Sequence, residues 1–352
     1  MTAANFDVFP VNVLTGFLGS GKTTLLRRLL SSELAGETAV LINEFGEVGI
    51  DNLLVAEVAP DTVLLKTGCV CCSIRGELKE AFLGLLSKRQ SGDIPPFVRI
   101  ILETTGLAEP APILATLLAD PVLCHHFKLG LVITVVDCVN AEFQRESFPE
   151  WTAQVTAADR VVISKVDLAD QETYAALQDS LAKMNHAASK LLAAEVDASD
   201  LLLGSGLHSL APETEARRWV EQTRSEPGEP RLDWSDEPGD LPVNRPHHQE
   251  EGAVRSFCLV FEEQVNWIGF GLWLSMLLNR HGANILRVKG ILHLAGTDYP
   301  VAIHGVQHLV HPPVHLTSWP SQDRTSRIIF IVRNLSPEAV ERSFKTFCGN
   351  LS

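Results

Sequence analysis

Residues 16–23 have the sequence GFLGSGKT, which matches the phosphate-binding pattern G-x-x-x-x-G-K-[ST]. The apolar run at 8–14 predicts a β-strand before it, and the leucine pattern at 22–34 predicts a helix after it. A strand, a glycine-rich turn and a helix in this order form the context in which the pattern marks a phosphate-binding loop. The stretch therefore predicts an α/β fold with a nucleotide site at the end of its first strand.

The residues of this loop suit a nucleoside triphosphate. The glycines let backbone N–H groups approach phosphate oxygens, and the positive end of the helix dipole faces the same anion. We expect Lys22 to reach the β- and γ-phosphates during catalysis, the Thr23 hydroxyl to bind Mg²⁺, and Thr24 to contact an α-phosphate oxygen. The predicted nucleotide-binding residues of the loop are Gly16, Gly19, Ser20, Gly21, Lys22, Thr23 and Thr24.

A second motif, IILETTG at 100–106, is an apolar strand that ends in an acid and is followed by a glycine. An acid in this place can hold Mg²⁺ through water, which makes Glu103 a candidate catalytic residue. The N–H group of Gly106 is the candidate sensor of the γ-phosphate. The alternative is an acid that simply ends a strand at the surface.

The third motif is SKVD at 164–167, again at the end of an apolar strand. The Asp167 carboxylate can accept two hydrogen bonds, from N1–H and from the exocyclic amine of guanine, and adenine offers no such pair of donors. The stem of Lys165 can lie over the plane of the base. Ser164, Lys165 and Asp167 are therefore predicted to bind the base and to select GTP.

Residues 68–78, GCVCCSIRGEL, hold three clustered cysteines, Cys69, Cys71 and Cys72. Thiolates are soft ligands that suit Zn²⁺, Cu⁺ or iron–sulfur clusters. A structural zinc site normally closes with four protein ligands, so three cysteines leave a vacant position, which favours exchange over permanent storage. Candidates for that position are Glu47, a histidine and water. The alternative is three buried thiols, since cysteine also packs as a small apolar residue.

Residues 43–51, NEFGEVGID, lie between the phosphate loop and the cysteines and are typical of a mobile switch segment. Glu44, a candidate catalytic residue, or Glu47 is expected to touch Mg²⁺, position water or complete the thiolate site. The alternative is a solvated loop without these roles.

The remaining cysteines and the histidines give weaker signals. Each of these cysteines lies alone in or beside an apolar pattern and is predicted to be a buried thiol: Cys124, Cys138, Cys258 and Cys348. His247 and His248, in an acidic stretch, can capture metal loosely. The histidines at 304, 308, 311 and 315 are predicted to be solvated or to lie in a core, with a metal site or partner surface as the alternatives.

Apolar strands alternate with helices through the first two hundred residues, which predicts a doubly wound, mostly parallel sheet. We expect a P-loop GTPase domain at 1–220, an acidic linker rich in proline and glycine at 221–253, and a smaller α+β domain at 254–352. Short connections in the last part favour an antiparallel sheet, with one strand across 308–315.

The charge balance excludes several classes of partner. Lysine and arginine total 29 against 43 acidic residues, which gives a net charge of −14 and argues against nucleic acid and anionic membranes. No apolar run approaches the length of a membrane span, and the N-terminal residues lack the pattern of a signal peptide. We therefore expect a cytoplasmic protein, in which cysteines serve as thiols or metal ligands rather than in disulfides.

The motifs GFLGSGKTT, NEFGEVGID, GCVCCSIRGEL, ETTGLAEP and SKVD resemble, in order and spacing, those of the CobW-like P-loop GTPases, a metallochaperone group. The resemblance extends over nearly the whole chain, including a CobW-type C-terminal domain. It implies that the three clustered cysteines bind zinc or a similar ion, and that GTP binding and hydrolysis are coupled to metal loading and release. Two features depart from the pattern: Ser164 stands where many GTPases have asparagine, which weakens one contact, and the linker has only one histidine pair.

The leading hypothesis is a slow, Mg²⁺-dependent GTPase that delivers a transition metal, zinc above all, to a client metalloprotein. A homodimer that depends on nucleotide or metal is a further expectation. One alternative is a zinc-binding regulator or storage protein with a vestigial GTPase. Another is a P-loop kinase with a structural zinc, although SKVD favours guanine and no acceptor site is evident.

Overall fold

The computed structural model describes residues 8–43, 64–66, 74–204, 212–223, 253–307 and 309–348. The chain divides into two compact units, one of Met1–Leu181 with Ala188–Pro212, the other of Ala182–Ala187 with Glu213–Ser352. Within the described ranges, no helix combines the length and the apolar character that crossing a membrane requires.

The first unit is built on a parallel sheet of seven strands in the order β3-β2-β4-β1-β5-β6-β7. The strands are β1 Phe9–Gly16, β2 Thr38–Asn43, β3 Leu64–Lys66, β4 Arg99–Thr104, β5 Phe127–Asp137, β6 Arg160–Ser164 and β7 Ser189–Leu192. The central strands are buried almost throughout, as apolar parallel strands covered on both faces should be. The predicted fold class is confirmed, and the carboxyl ends of β1, β4 and β6 lie along one edge of the sheet.

Helices connect these strands. They are α1 Lys22–Leu30, α2 Ile74–Ser91, α3 Pro110–Ala119, α4 Pro121–His126, α5 Ala141–Ser147, α6 Pro149–Ala157, α7 Gln171–Met184 and α8 Ala198–Leu202, with short 3₁₀ turns at Glu33–Glu37 and Val166–Leu168. α1 ends before the predicted residue 34 because the hydroxyls of Ser31 and Ser32 donate to the carbonyls of Arg27 and Leu29, at 2.8 and 2.6 Å. Serine side chains that bond to the backbone in this way compete with continuation of a helix.

The second unit holds a six-stranded sheet, in which β11-β10-β9-β13-β8 are neighbours and β12 pairs with β10. All the pairs are antiparallel, as predicted. The strands are β8 Val254–Phe261, β9 Ile285–Leu292, β10 Val301–Val306, β11 Leu309–Val310, β12 Val314–His315 and β13 Ser326–Arg333, and the helices are α9 Pro212–Gln222, α10 Trp267–His281 and α11 Pro337–Cys348. The single strand predicted across 308–315 is wrong, since Pro312 and Pro313 offer no N–H group to a ladder and divide it.

One face of this antiparallel sheet packs against α10 and α11. The rings of Trp273 and Phe344 lie 4.8 Å apart at 69°, and Trp273 Nε1 donates to Ser343 Oγ at 3.0 Å. Ile328 and Phe330 of β13 belong to the same cluster, as the two-residue period of a strand requires. These aromatic contacts form the core of the second unit.

Helix α9 belongs with the second unit, although the predicted domain boundary was at residue 220. Trp219 is buried, and the buried Glu215 lies 3.7 Å from Lys289 of β9. Arg327 of β13 donates to the carbonyl of Thr223 at 3.3 Å. These contacts hold the helix against the antiparallel sheet, because a buried charge needs its partner close by.

In the first unit, Asn12 bridges β1 and β5. The register of this strand pair shifts between Val11 and Val13, and there Asn12 Oδ1 accepts from Leu131 N at 2.8 Å. Its Nδ2 donates to Leu201 O at 2.9 Å. The buried carboxamide therefore replaces a ladder bond that the register shift removes.

We expect Asn12→Ala to lower the free energy of unfolding by about 1–3 kcal/mol, because a buried donor and acceptor lose their partner. Denaturant unfolding measures the change, with Asn279→Ala on the exposed side of α10 as the control at less than about 0.5 kcal/mol. Equal stabilities for the two variants would contradict this account.

Candidate functional site

A pocket of about 320 Å³ opens at the carboxyl ends of β1, β2 and β4. Its walls are formed by Leu18, Gly19, Gly21, Lys22, Thr23, Thr24, Ile42, Glu103, Thr104, Thr105 and Gly106. The phosphate loop and the end of β4, which lie far apart in the sequence, thus form one cavity. Ligands of open α/β sheets bind at such an edge.

The phosphate loop needs glycine at three positions. Gly16, Gly19 and Gly21 have φ angles of +144°, +70° and +97°, in the region that favours glycine. A Cβ on Gly16 would also lie 2.4 Å from Val135 O. α1 then begins at Lys22, so the N–H groups of its first turn are available to an anion in the pocket.

The Lys22 side chain folds back over this loop. Its Nζ donates to the carbonyls of Gly16 and Phe17, at 2.9 and 3.2 Å. Because Lys22 also lines the pocket, its positive charge lies where a polyphosphate would enter.

The structure brings together Thr23, predicted to bind Mg²⁺ directly, and Glu103, predicted to hold Mg²⁺ through water. Thr23 Oγ1 donates to Glu103 Oε1 at 3.2 Å, and Glu103 is buried. Parallel pairing of β1 with β4 places Leu14 opposite Glu103, which brings the carboxylate beside the loop. A hydroxyl and a carboxylate are hard oxygen donors, so this pair fits Mg²⁺.

Gly106 lies tightly against the phosphate loop. A Cβ at this position would lie 2.6 Å from Leu18 N, so the approach requires glycine. Gln154 of α6, fully buried, donates from Nε2 to the carbonyls of Gly106 and Ala108, each at 3.0 Å. Gln154 was not predicted from the sequence, because no motif marks a glutamine whose contacts depend on the packing of α6.

The SKVD segment contacts the phosphate loop through its serine. Ser164 Oγ donates to Ser20 O at 2.6 Å and lies 3.2 Å from Val136 O. Lys165 follows with φ of 58°, and Asp167 is exposed on the 3₁₀ turn Val166–Leu168. The serine therefore forms a hydrogen bond to the phosphate loop, although many GTPases have asparagine here. Neither Lys165 nor Asp167 is among the residues that line the pocket.

Asp137, at the end of β5, holds Lys165 in place. Its buried carboxylate accepts from Lys165 Nζ at 2.7 Å, Val139 N at 3.0 Å and Asn140 Nδ2 at 2.8 Å. Burial by itself raises the pKa of Asp137, but the hydrogen bonds from Lys165 and Asn140 outweigh it and hold the pKa below its ordinary value. Asp137 was not predicted from the sequence, although an acid at the end of a buried strand was a signal.

Several predicted residues lie outside the described part of the chain. They are Glu44, Glu47, Cys69, Cys71 and Cys72, together with the histidines at 247, 248 and 308. Of the predicted second-domain histidines, His304 and His311 stack in the interior with ring centroids 4.6 Å apart, and His315 is exposed. Among the residues that the structure does describe, no group of three or more His, Cys, Asp or Glu side chains is placed to hold a metal ion.

The isolated cysteines differ in exposure. Cys138 and Cys348 are buried, as predicted, and burial raises the pKa of Cys348 to about 11, so it stays a thiol at neutral pH. Cys258 is half-buried. The prediction for Cys124 is wrong: it is exposed, because α4 has six residues and buries only Leu123.

Comparison with known proteins identifies both units. Residues 10–191, just over half of the chain, match the nucleotide-binding domain described as CobW/HypB/UreG. Residues 254–348 match the cobalamin synthesis protein cobW C-terminal domain.

Individual relatives agree with this. The zinc chaperone YjiA of Escherichia coli (strain K12) is 42% identical over 175 residues, 50% of this chain and 54% of YjiA, so the match spans about half of that relative. The zinc chaperone CobW of Pseudomonas aeruginosa is 27% identical over 368 residues, 96% of this chain and 91% of that protein. The crystal structure of Zn(II)-bound YjiA GTPase from E. coli aligns over 97% of this chain and 99% of YjiA, with a TM-score of 0.69 and 26% identity. As its motifs predicted, the chain belongs to the CobW/HypB/UreG family.

Proposed function

We propose that this protein is a GTP-hydrolysing metallochaperone that binds zinc at Cys69, Cys71 and Cys72 and delivers it to a client metalloprotein. The observation that carries the proposal is the pocket, in which Lys22, the Thr23–Glu103 pair and Gly106 surround one space. In the leading alternative, a zinc-binding regulator or storage protein, the GTPase is vestigial. Turnover of GTP with Mg²⁺ and zinc separates the two, because the alternative requires none.

Guanine is the base that the site suits. Asp167 is exposed and therefore open to the paired donors of a guanine ring. The ion pair between Lys165 and Asp137, with an Nζ–Oδ2 distance of 2.7 Å, fixes the position of the lysine side chain in the same segment. The hydrogen bond from Ser164 to Ser20 then joins the base-binding segment to the loop that receives the phosphates.

Thr23 and Glu103 would hold Mg²⁺, which neutralises charge on the phosphates during hydrolysis. Lys22 would move from the loop carbonyls to the β- and γ-phosphates. Charged groups fixed in advance around the phosphates are the main contribution a protein makes to phosphoryl transfer. Glu44 remains the candidate for positioning the attacking water.

In the sequence, the three cysteines follow shortly after strand β3, and β3 pairs with a strand that contributes to this pocket. Lys66, the last residue of β3, pairs with Ile42, and Ile42 lines the pocket. Cys69 follows Lys66 closely in the sequence, and Glu44 follows the end of β2. A γ-phosphate that rearranges the ends of these strands would therefore act on the thiolate segment over a short length of chain.

Zinc is the cargo that the donors and the relatives favour. Thiolates bind it well, with Glu47, a histidine or water in the fourth position. The relatives in E. coli and P. aeruginosa are named zinc chaperones. Delivery belongs in the cytoplasm, where thiols stay reduced, and a homodimer formed with nucleotide or metal would be compatible with it.

We expect Asp167→Asn to weaken GTP binding about 10- to 100-fold, because hydrogen bonds to a charged acceptor are lost. Binding of ATP should be unchanged. Calorimetric titration in Mg²⁺ measures both, with Glu172→Gln, an exposed acid on α7, as the control of equal charge. An unaltered GTP affinity in Asp167→Asn would rule out this residue as the acceptor for guanine.

We expect Cys71→Ser to bind zinc at least ~10–100-fold more weakly. Loss of a residue that only supports a metal ligand already has an effect of this size, and Cys71 is proposed to be a ligand itself. Measured without zinc, its GTP affinity should stay within about twofold of that of the unmodified protein, because coupling between the two sites alters GTP affinity only when zinc is bound. Competition against a zinc chelator and nucleotide titration give the two values, and Cys124→Ser at an exposed site is the control. Equal loss of zinc and GTP binding would mean that the cysteines only support the fold.

A further inference from the structure

Gln154 occupies an unusual place for an amide side chain. It is 0% exposed, and its Nε2 donates to two carbonyls of the loop between β4 and α3, those of Gly106 and Ala108. Two carbonyl acceptors demand a donor between them, so the hydrogen-bond network assigns the nitrogen, rather than the oxygen, to this side. The carbonyls that flank Leu107 are thus held by one side chain.

The helix that carries Gln154 is itself firmly held. The Gln154 carbonyl accepts from Thr134 Oγ1 at 2.8 Å, which joins α6 to the central strand β5. Its neighbours Trp151 and Val155 are buried. Because packed interiors resist displacement, the position of the Gln154 amide is set by the core of the first unit.

On its other side the same loop meets the phosphate loop. Gly106 approaches Leu18 so closely that a Cβ would lie 2.6 Å from Leu18 N. Within the loop, Ala108 N donates to Thr105 O at 3.1 Å. The backbone at Gly106 is therefore fixed between Gln154 and the phosphate loop.

We propose that Gln154 is a positioning residue that sets the preference of this pocket for a nucleoside triphosphate over the diphosphate. The inference rests on the proposed function, in which Gly106 contacts the γ-phosphate. A triphosphate meets a loop that is already ordered, whereas a diphosphate does not extend to it. Gln154 acts through Gly106 and does not touch the nucleotide.

The test compares affinities for GTPγS and GDP, in Mg²⁺, for the full chain and three variants. Gln154→Leu removes the donor, and the nearly isosteric Gln154→Glu places a carboxylate oxygen against the two carbonyls. Gln144→Leu is the matched control, because Gln144 is also buried and lies on the neighbouring helix α5. Hydrogen–deuterium exchange of residues 104–109 reports whether the loop is released.

We expect both Gln154 variants to bind GTPγS about 5- to 30-fold more weakly, which is the cost of ordering roughly one residue on binding. GDP affinity should stay within about twofold, and exchange of the loop should increase. Gln144→Leu should alter neither affinity.

An unchanged ratio of the GTPγS and GDP affinities would overturn the inference. This holds whether both affinities stay the same or both fall equally, and an equal fall would indicate a purely structural role for Gln154. Where Gln154→Leu fails to fold, Gln154→Glu and its exchange pattern decide the matter. A full chain that binds neither guanine nucleotide refutes the proposed function itself, which separates that failure from an unaltered ratio in the variants.

Discussion

The nucleotide pocket depends on two backbone loops that approach more closely than any side chain would allow. A Cβ at Gly106, in the loop after β4, would lie 2.6 Å from Leu18 N of the phosphate loop. Gly16 is equally close to the neighbouring strand β5, where its Cβ would lie 2.4 Å from Val135 O. Gly16 ends β1 and Gly106 follows β4, and these strands are neighbours in the sheet. The order of the strands therefore brings the loops together, and glycine lets them come close enough to enclose phosphate.

Polar contacts then connect the separate parts of this site. The Thr23–Glu103 hydrogen bond joins the phosphate loop to β4, and Ser164 joins it to β6. The Asp137–Lys165 ion pair joins the SKVD segment to the end of β5. Only the Asp137 carboxylate of this pair is buried, and the cost of removing that charge from water offsets much of its attraction to Lys165. The described site is thus a set of strand ends joined by hydrogen bonds of 2.6 to 3.2 Å.

Local patterns explain what could be predicted from the sequence. The apolar strands, the glycine-rich turn and SKVD are continuous stretches whose meaning depends on near neighbours, and their places at one edge of the sheet follow from a parallel fold. Gln154 and Asp137 act on residues distant in the chain, so their roles required the packing of α6 and β5. The helices that begin at Pro110, Pro121 and Pro149 were missed, although proline at the first helical position is a recognised start signal. Assignment of α9 to the second unit depends on a buried Glu215–Lys289 pair that no local pattern reveals.

In the proposed function, occupancy of the γ-phosphate position alters the affinity of the cysteine segment for zinc. Thermodynamic linkage relates the zinc affinity of the chain to its nucleotide affinity, so the test requires no client protein. The most direct measurement is the zinc dissociation constant of the full chain saturated with GTPγS and Mg²⁺, compared with the same chain saturated with GDP and Mg²⁺. We expect the two dissociation constants to differ by at least about fivefold, the lower end of typical coupling between sites. Identical constants would contradict it.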